Sequence, residues 1–326
     1  MVSMDRRMKA WAWVVRKQAS VASLDEAGVI ALQGRHAPDN AVTNFIFGKT
    51  APGIETTDRV IAGPAGEITV RVYQPGRAAP AHAAGRPLVV NFHGGGFVFG
   101  DLRLSDWLCS RVAQRVGAVV VSVDYRLAPR HRFPAAVEDC YAALLWAAGN
   151  AASLGAGGKI GVMGESAGGT LSAVMCLLAR DRGGPAIGHQ VLLYPATDMT
   201  SVKPAPPDTP FLSGPEMLAF RQHYLGDADP GDSRASPLLA TDHSGLPPAL
   251  IQVAEHDPLR DDGVRYATAL RSAGVPVRLT EYVGMPHGYL NFPGVCRSAR
   301  QALAEICAEQ IAALVEAHLE AAGEVA

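Results

Sequence analysis

The sequence predicts an α/β fold in which a mostly parallel central sheet of about eight strands is flanked by helices. Short apolar runs recur along the chain, which is typical of strands that are covered on both faces. Segments with helical periodicity lie between these runs. The chain has 326 residues, of which 48% are hydrophobic and 18% are charged. It can therefore bury the large core that such a fold requires.

Seven segments are predicted as strands, the first because apolar and polar residues alternate and the others because they are mostly apolar throughout. These strands cover 68–73, 87–92, 118–123, 159–163, 190–194, 249–254 and 277–282. Five of them are followed by a helical pattern, and the predicted helices cover 104–116, 134–148, 166–180, 260–273 and 297–322. The alternation of strand and helix predicts mainly parallel pairing.

Two stretches depart from this alternation. Residues 1–55 mix polar and apolar positions and are predicted to be largely helical. Residues 199–236 are rich in Pro, Gly, Ser and Asp, with one helical piece near 215–224. We predict that this second stretch is an insertion that lies over one end of the sheet.

The composition excludes several classes of protein. With 29 Lys and Arg against 31 Asp and Glu, the net charge is −2 and no basic stripe stands out, so no nucleic-acid partner is expected. No apolar run approaches the roughly 18 residues that a membrane span needs. The apolar stretch at 10–15 is too short for a secretory signal, so we predict an amphipathic helix there and a cytoplasmic protein. Five cysteines without a C-x-x-C pair are typical of free thiols in a reducing compartment.

The segment Gly-Glu-Ser-Ala-Gly-Gly at 164–169 matches the pattern G-x-S-x-G. A predicted strand precedes it and a predicted helix follows it, which is the context in which this pattern carries a nucleophilic serine. The glycines are needed because bulky neighbours would clash with the crossing backbone, and the helix N-terminus favours negative charge. Ser166 is therefore the candidate nucleophile. The alternative is a glycine-rich turn in which Ser166 only caps the helix.

The residues His93-Gly94-Gly95-Gly96 directly follow a predicted strand. Glycines leave backbone N–H groups uncovered, and a tetrahedral oxyanion needs such donors. In serine hydrolases with this loop, a further N–H comes from the residue after the nucleophile, which here is Ala167. A phosphate-binding loop is the alternative, but no nucleotide-binding glycine motif accompanies it. We expect His93 itself to be structural.

The candidate acid and base follow the serine in that order along the chain. Asp257 lies just beyond the predicted strand at 249–254, and His287 lies on the loop after the strand at 277–282. Because parallel strands end at the same edge of a sheet, we expect these side chains to lie where sites in α/β folds assemble.

Other acidic residues and histidines after the serine are predicted to have structural roles. Asp261 and Asp262 fit the first turn of a helix, where they complement its dipole. Glu255 lies too close to its strand, and the side chain of His256 is expected to point away from Asp257. The remaining histidines are placed in the insertion or just after it, at the wrong strand end or in the C-terminal helix: His189, His223, His243 and His318.

Taken together, these and further motifs resemble the bacterial hormone-sensitive lipase-like esterases, which are α/β-hydrolases related to acetyl esterases and arylacetamide deacetylases. The resemblance covers residues 55–316. Besides the glycine loop and the serine motif, it is carried by DYRLAP at 124–129, FPAAVED at 133–139, SP at 236–237, LPP at 246–248, DPLRD at 257–261 and HG at 287–288.

The resemblance implies an α/β-hydrolase fold with a helical cap and a catalytic triad of Ser166, Asp257 and His287. It also implies an oxyanion hole, for which the candidate donors are the N–H groups of Gly95, Gly96 and Ala167, with Gly94 as a further candidate. The implied division of the chain is a cap in two parts, 1–50 and 199–236, and a core in two parts, 51–198 and 237–326.

Two departures from the family pattern stand out. Glu165 precedes the serine where the family usually has Asp, and Arg130-His131-Arg132 replaces the usual acid-Pro pair. Glu165 keeps the negative charge on a side chain that is one methylene longer, so its partners differ in geometry. We expect the two arginines to alter a surface or subunit contact.

The activity implied is that of a serine carboxylesterase, which hydrolyses a small-molecule ester of short to medium acyl chain through an acyl-enzyme. The alternatives are an amidase or deacetylase on the same fold, and a non-catalytic small-molecule receptor, against which His287 argues. We expect no cofactor and no metal, because no His/Cys cluster has zinc-ligand spacing. A homodimer is one candidate assembly.

Bulky apolar residues are expected to enclose the acyl chain, so that activity rises with acyl length and then falls. The resemblance implies an optimum at roughly four to eight carbons. Those of the N-terminal part are Trp11, Trp13, Phe45 and Phe47, and those of the insertion are Phe211, Leu212, Met217 and Phe220.

Overall fold

A computed structural model describes residues 3–15, 20–35, 38–76, 79–80, 82, 85–201 and 211–316. Eight strands in these ranges form one sheet. They are β1 (Ile54–Gly63), β2 (Gly66–Pro75), β3 (Leu88–Phe92), β4 (Val119–Asp124), β5 (Ile160–Glu165), β6 (Ile187–Leu193), β7 (Ala249–His256) and β8 (Val277–Pro286). Their order is β1-β2-β4-β3-β5-β6-β7-β8. Strand β2 pairs antiparallel with β1 and β4, and all other neighbours are parallel, which confirms the predicted sheet.

The seven predicted strands are all present, with ends that differ by a few residues from the prediction. Strands β3, β4 and β5 are almost entirely buried, which is why they read as continuous apolar runs. Strand β1 is not among the predicted strands. It lies at the edge of the sheet and only its Ile61 is buried, so its sequence carries no clear apolar pattern.

The described helices are α1 (Arg6–Val15), α2 (Glu26–Gln33), α3 (Ala41–Phe47), α4 (Asp106–Val116), α5 (Ala135–Gly149), α6 (Ala167–Asp181), α7 (Gly214–Leu225), α8 (Arg260–Ser272) and α9 (Arg297–Ile311). Helices α5, α6 and α8 cover one face of the sheet, whereas α4 and α9 cover the other. In β3, Val90 therefore packs with the first group and Val89 with the second. None of the helices within the described ranges is long and apolar enough to cross a membrane.

The C-terminal helix differs from its prediction. Helix α9 ends at Ile311 and passes into a π-helical turn at Ala312–Glu316. The rest of the predicted helix, up to 322, lies outside the described residues, as does His318.

Helix α7 connects the N-terminal segment to the core. The hydroxyl of Ser20 donates a hydrogen bond to Glu216 of α7 at 3.0 Å. At the other end of the helix, the ring of Tyr224 stacks on Phe97 with centroids 3.8 Å apart. The described parts of the two predicted cap segments are thus in contact with each other and with the loop after β3. The domain boundaries at 50, 198 and 236 stay a prediction.

The Arg130-His131-Arg132 segment also meets the N-terminal helices. Arg132 forms an ion pair with Glu26 at the start of α2, and both side chains are largely exposed. At least one of the two arginines therefore makes a contact within the chain.

Candidate active site

Ser166 occupies the sharp turn between β5 and α6. Its backbone dihedrals are φ 54° and ψ −117°, a conformation that is strained for any residue with a side chain. A Cβ atom on Gly168 would overlap the carbonyl oxygen of Phe92, so only glycine fits where α6 crosses the end of β3. The N–H of Ser166 donates to the carbonyl of Leu193 at 2.8 Å and anchors the turn to β6. The serine is thus held at the N-terminus of α6, where the helix dipole favours negative charge.

Ser166, His287 and Asp257 form one hydrogen-bonded chain. The Ser166 Oγ lies 2.9 Å from Nε2 of His287, and Nδ1 of the same ring lies 2.8 Å from Oδ2 of Asp257. The other carboxylate oxygen accepts the N–H of Leu259 at 2.8 Å. The Asp257 side chain is completely buried, and that of His287 is 11% exposed. Because both oxygens of the carboxylate are held, the imidazole is fixed with Nε2 towards the serine.

The two partners of the serine follow their strands directly. Asp257 comes immediately after β7, and His287 immediately after β8. The sequence pattern places the ends of these strands at 254 and 282, which is too early. Because β7 and β8 are parallel neighbours, residues 30 positions apart in the chain meet at the same edge of the sheet.

The acidic residues on either side of Asp257 make other contacts. The carboxylate of Asp262 accepts two backbone N–H groups of the loop after β6, each at 3.2 Å. Asp261 pairs with Arg260 at 3.1 Å, and Glu255 accepts the N–H of Gly284 at 2.8 Å. The contacts of Asp262 and Glu255 therefore join segments that are far apart in the chain.

The glycine loop after β3 presents backbone donors beside the serine. Gly95 has φ 113° and Gly96 has φ 64°, values that favour glycine. In the described part of the chain, the N–H groups of Gly94, Gly95, Gly96 and Ala167 donate no hydrogen bond. The three loop glycines and Ala167 all line the cavity that contains Ser166. The structure therefore brings the predicted donors to the nucleophile.

His93 supports this loop from beneath. Its ring is completely buried and stacks on Tyr125, with centroids 4.2 Å apart. The Tyr125 hydroxyl donates to the carbonyl of His93 at 2.8 Å, and the Nδ1 of His93 lies 2.7 Å from the carbonyl of Gly94. Burial lowers the pKa of His93 to about 4, so the ring is neutral near pH 7.

The contribution of Tyr125 is one that sequence reasoning missed. The residue belongs to the DYRLAP motif, whose Arg126 forms two 2.7 Å hydrogen bonds with the buried Asp139 of the FPAAVED motif. The two paired residues are 13 positions apart and the motifs carry no nucleophile, so the sequence offers only the joint occurrence of the motifs as a signal. In the fold they fix the segment that holds the donor loop.

Glu165 lies beside the nucleophile and is 1% exposed. Its Oε2 accepts a hydrogen bond from the hydroxyl of Tyr194 at 3.2 Å, whereas Oε1 is buried without a partner among the described residues. Burial raises the pKa of Glu165 to about 7, although contacts with Tyr194 and Asn291 favour the ionised form. Tyr194 was not a predicted site residue. Its ring packs edge-on against the ring of His287, with centroids 5.0 Å apart.

A cavity of about 290 Å³ opens above the serine. Its lining is mostly apolar and includes residues of α7, among which Phe220 lies close to Gly96 of the glycine loop. Apolar residues from both predicted cap and core line it, among them Leu104, Phe211, Leu212, Met217, Phe220 and Phe292. This volume lies at the small end of the range of about 300–1,000 Å³ that is typical of small-molecule sites.

The expectation for the N-terminal aromatics is only partly correct. Trp11 and Phe47 do not line the cavity themselves, but they pack around Phe292, which does. Trp13 and Phe45 are 66% and 65% exposed and do not line it, so their prediction as enclosing groups is wrong. Trp11 and Trp13 differ in exposure because two residues that are two positions apart in a helix lie about 200° apart, on opposite faces. The four predicted residues of the insertion, Phe211, Leu212, Met217 and Phe220, all line the cavity.

No group of three or more His, Cys, Asp or Glu side chains suited to a metal ion occurs within the described ranges. The polar atoms around Ser166 belong instead to a hydroxyl, an imidazole, carboxyl groups and backbone N–H groups. This set of groups can carry out nucleophilic attack with general-base assistance.

Comparisons with known proteins agree with this geometry. The profile of a family described as alpha/beta hydrolase fold matches residues 89–291. Esterase LipI of Mycobacterium tuberculosis is 45% identical over 257 residues, which are 77% of this chain and 80% of LipI. Carboxylesterase NlhH of the same species is 45% identical over 244 residues, which are 72% of this chain and 75% of NlhH.

Solved structures give the same result. The hyperthermophilic esterase from the archaeon Pyrobaculum calidifontis superposes with a TM-score of 0.84 at 38% identity, covering 94% of this chain and 97% of that one. EstE1, a thermostable carboxylesterase from a metagenomic library, superposes with a TM-score of 0.75 at 42% identity, covering 80% and 89%. The chain therefore belongs to the α/β-hydrolase fold family, in its branch of bacterial hormone-sensitive lipase-like esterases.

Proposed function

We propose that this carboxylic ester hydrolase cleaves short- to medium-chain acyl esters through an acyl-enzyme on Ser166, with His287 as general base and acid and Asp257 as the orienting acid. The observation that carries the proposal is the chain of two hydrogen bonds, 2.9 Å and 2.8 Å long, at the floor of an apolar cavity. A serine hydroxyl is a weak nucleophile by itself, and a base within hydrogen-bond reach activates it.

The reaction has two halves. His287 takes the proton as Ser166 Oγ attacks the ester carbonyl, and it then gives the proton to the leaving alcohol. Water attacks the acyl-enzyme with the same histidine as base. Asp257 keeps the proton of the neutral ring on Nδ1 and stabilises the imidazolium that forms in each half. Its complete burial strengthens this effect, because water does not screen the pair.

The tetrahedral intermediate places a negative charge on the former carbonyl oxygen. We assign its stabilisation to the N–H groups of Gly95, Gly96 and Ala167, with Gly94 as a further donor. These groups donate no hydrogen bond elsewhere in the described part of the chain, so they are available for a charge that develops beside Ser166. The positive end of the α6 dipole adds to their effect.

The cavity supports a preference for short acyl chains. Each buried methylene contributes about 0.8 kcal/mol, so kcat/KM should rise with acyl length while the chain still fits. Beyond the cavity, overpacking costs about 1–3 kcal/mol, and the trend should reverse. With a volume near 290 Å³, we place the optimum at roughly four to eight carbons.

A series of p-nitrophenyl esters from acetate to palmitate, with matching anilides, tests the function. The wild-type protein should hydrolyse the short esters, and Ser166→Ala should lose several powers of ten in kcat while remaining folded. Preference for the anilides would instead show an amidase, and absence of turnover would favour a receptor. Activity that rises steadily to sixteen carbons would contradict the enclosed acyl site.

Two further statements belong to the proposal. All five cysteines are free and buried, which supports a cytoplasmic location, because disulfides are rare in reducing compartments. A homodimer is the proposed assembly, and size-exclusion chromatography with light scattering would test it.

A further inference from the structure

The carboxyl group of Glu165 has a position that the proposed chemistry leaves unexplained. It adjoins the nucleophile in sequence, is 1% exposed and lines the cavity that contains Ser166. A buried carboxylate is costly unless it is paired, and no cation is among the groups that favour its ionised form. A group that only filled space at this position would need no charge.

Two contacts connect Glu165 to the proposed base. The hydroxyl of Tyr194 donates to Oε2, and the ring of Tyr194 packs edge-on against His287 at 5.0 Å. Asn291, which also favours the ionised carboxyl, lies one turn beyond His287, and its N–H donates to Gly288 at 3.1 Å. Glu165 is therefore linked to the histidine ring through Tyr194 and to the turn that follows His287 through Asn291.

We propose that Glu165 is a positioning residue for ester hydrolysis: it holds His287 through Tyr194 and Asn291, and its negative charge stabilises the imidazolium. The inference rests on the proposed function, because it assigns a second carboxylate to the same base. Asp257 fixes the Nδ1 side of the ring, and Glu165 acts through the aromatic side. Because Glu165 is buried, water screens its charge weakly, and the charge contributes to the stabilisation of the imidazolium without contact with the ring.

The titratable groups that surround Glu165 keep their own charge near neutral pH, so a change in the charge of Glu165 can be detected. Its electrostatic neighbours include three tyrosines and a cysteine, and burial raises the pKa of all of them well above their usual values: Tyr125, Tyr194, Tyr289 and Cys109. His93, on the neighbouring glycine loop, is neutral above about pH 4. Glu165, with a pKa of about 7, is therefore a group beside the proposed base whose charge changes between pH 5 and 9.

The inference makes a specific prediction for the pH profile of kcat/KM. His287 must be neutral to accept a proton. Glu165 acts only when it is ionised, and its pKa of about 7 places this ionisation within the pH range of an ordinary assay. Both changes raise activity as pH rises. The wild-type acid limb should therefore be steeper than that of a single ionisation, with a plateau reached above about pH 8.

The decisive variant is Glu165→Gln, which keeps the size and can still accept the Tyr194 hydrogen bond but never carries charge. We expect kcat at the plateau to fall about tenfold with little change in KM, and the acid limb to become that of one ionisation. Glu165→Asp, which keeps the charge, should retain the steeper limb. Glu67→Gln, in the exposed β1–β2 hairpin, is the matched control and should leave the profile unchanged.

A second variant keeps the test valid if Glu165→Gln folds poorly. Tyr194→Phe preserves the ring against His287 and removes the hydroxyl that favours the charged carboxyl. The pKa of Glu165 should then rise, so the part of the acid limb that reports its ionisation should move to higher pH. If an active, folded Glu165→Gln protein has the wild-type kcat and acid limb, or Tyr194→Phe leaves the limb in place, the inference is wrong and Glu165 only fills space. The esterase proposal is tested separately, by the ester and anilide series and by Ser166→Ala, so a failure of this inference leaves it intact.

Discussion

The carboxyl edge of the sheet and helix α7 border the same cavity, but they are held in different ways. Ser166, Asp257 and His287 follow three strands directly, and each side chain is held by a hydrogen bond to another. Helix α7 is buried only at its last residues, and it is held by a capping box at Ser213 and by stacking of Tyr224 on Phe97.

This difference indicates a division of tasks. Groups that transfer a proton must keep their geometry to within a few tenths of an ångström, and strand ends in a buried sheet provide that precision. The apolar side chains on α7 need only to fit the acyl chain, so they tolerate exchange. Changes at the sheet edge should therefore abolish catalysis, whereas changes on α7 should shift which substrate is preferred.

The largest effect is expected at the sheet edge with Asp257→Asn. An amide at this position favours the wrong tautomer of His287, so kcat should fall by about 10³–10⁴ with the fold intact. The control is Asp261→Asn. Asp261 lies four residues further along the chain and forms an exposed ion pair with Arg260, so this variant should retain nearly full kcat. Steady-state kinetics on a short p-nitrophenyl ester would measure both. If Asp261→Asn were the crippling change, the assignment of the acid would be wrong.

The next effect concerns stability beside the nucleophile. Burial raises the pKa of Glu165 from 4.5 to about 7, so folding favours its protonated form. The raised pKa contributes about 3 kcal/mol to the free energy of unfolding. This contribution is complete below about pH 4.5 and is lost as pH rises to about 7. Urea unfolding would measure the free energy of unfolding of Glu165→Gln and of wild type at both pH 5 and pH 8. The difference, variant minus wild type, should be larger at pH 8 than at pH 5 by about that amount. Parallel curves for the two proteins would contradict the buried, protonated state.

A smaller effect is expected on α7, from Met217→Ala. Met217 lines the cavity, whereas its neighbour Leu218 is 53% exposed on another face of the helix. Removing the Met217 side chain should lengthen the preferred acyl chain by about two carbons and reduce kcat/KM for short esters about fourfold per lost methylene contact. The control, Leu218→Ala, should keep the wild-type optimum. A chain-length series would show no shift in Met217→Ala if α7 did not limit the acyl site.

The smallest effect is expected away from both regions, with Arg132→Ala. The ion pair between Arg132 and Glu26 lies on the surface, with side chains 42% and 55% exposed, so water and salt screen it. The free energy of unfolding should change by less than about 1 kcal/mol, and kcat should be unchanged. Thermal unfolding together with an ester assay would check this. A large loss of activity would mean that this contact holds α2 in a position that the site requires.

The sequence alone predicted the parts of the protein that depend on short stretches of chain. The sheet, seven of its strands, and the candidates Ser166, Asp257 and His287 all follow from patterns within a few residues of each position. Strands buried on both faces must be apolar, and a nucleophile at a strand-to-helix turn needs glycines beside it. Such requirements leave a local trace in the sequence.

What the tertiary structure decided depends on residues far apart in the chain. The partnership of Glu165 with Tyr194, the exposure of Trp13 and Phe45, and the volume of the cavity have no local signature. Strand β1 belongs to the same class, because its partner β2 and its position at the edge define it more than its composition does. The physical reason is that burial and pKa are set by neighbours in space, which the chain brings together only when the sheet is complete.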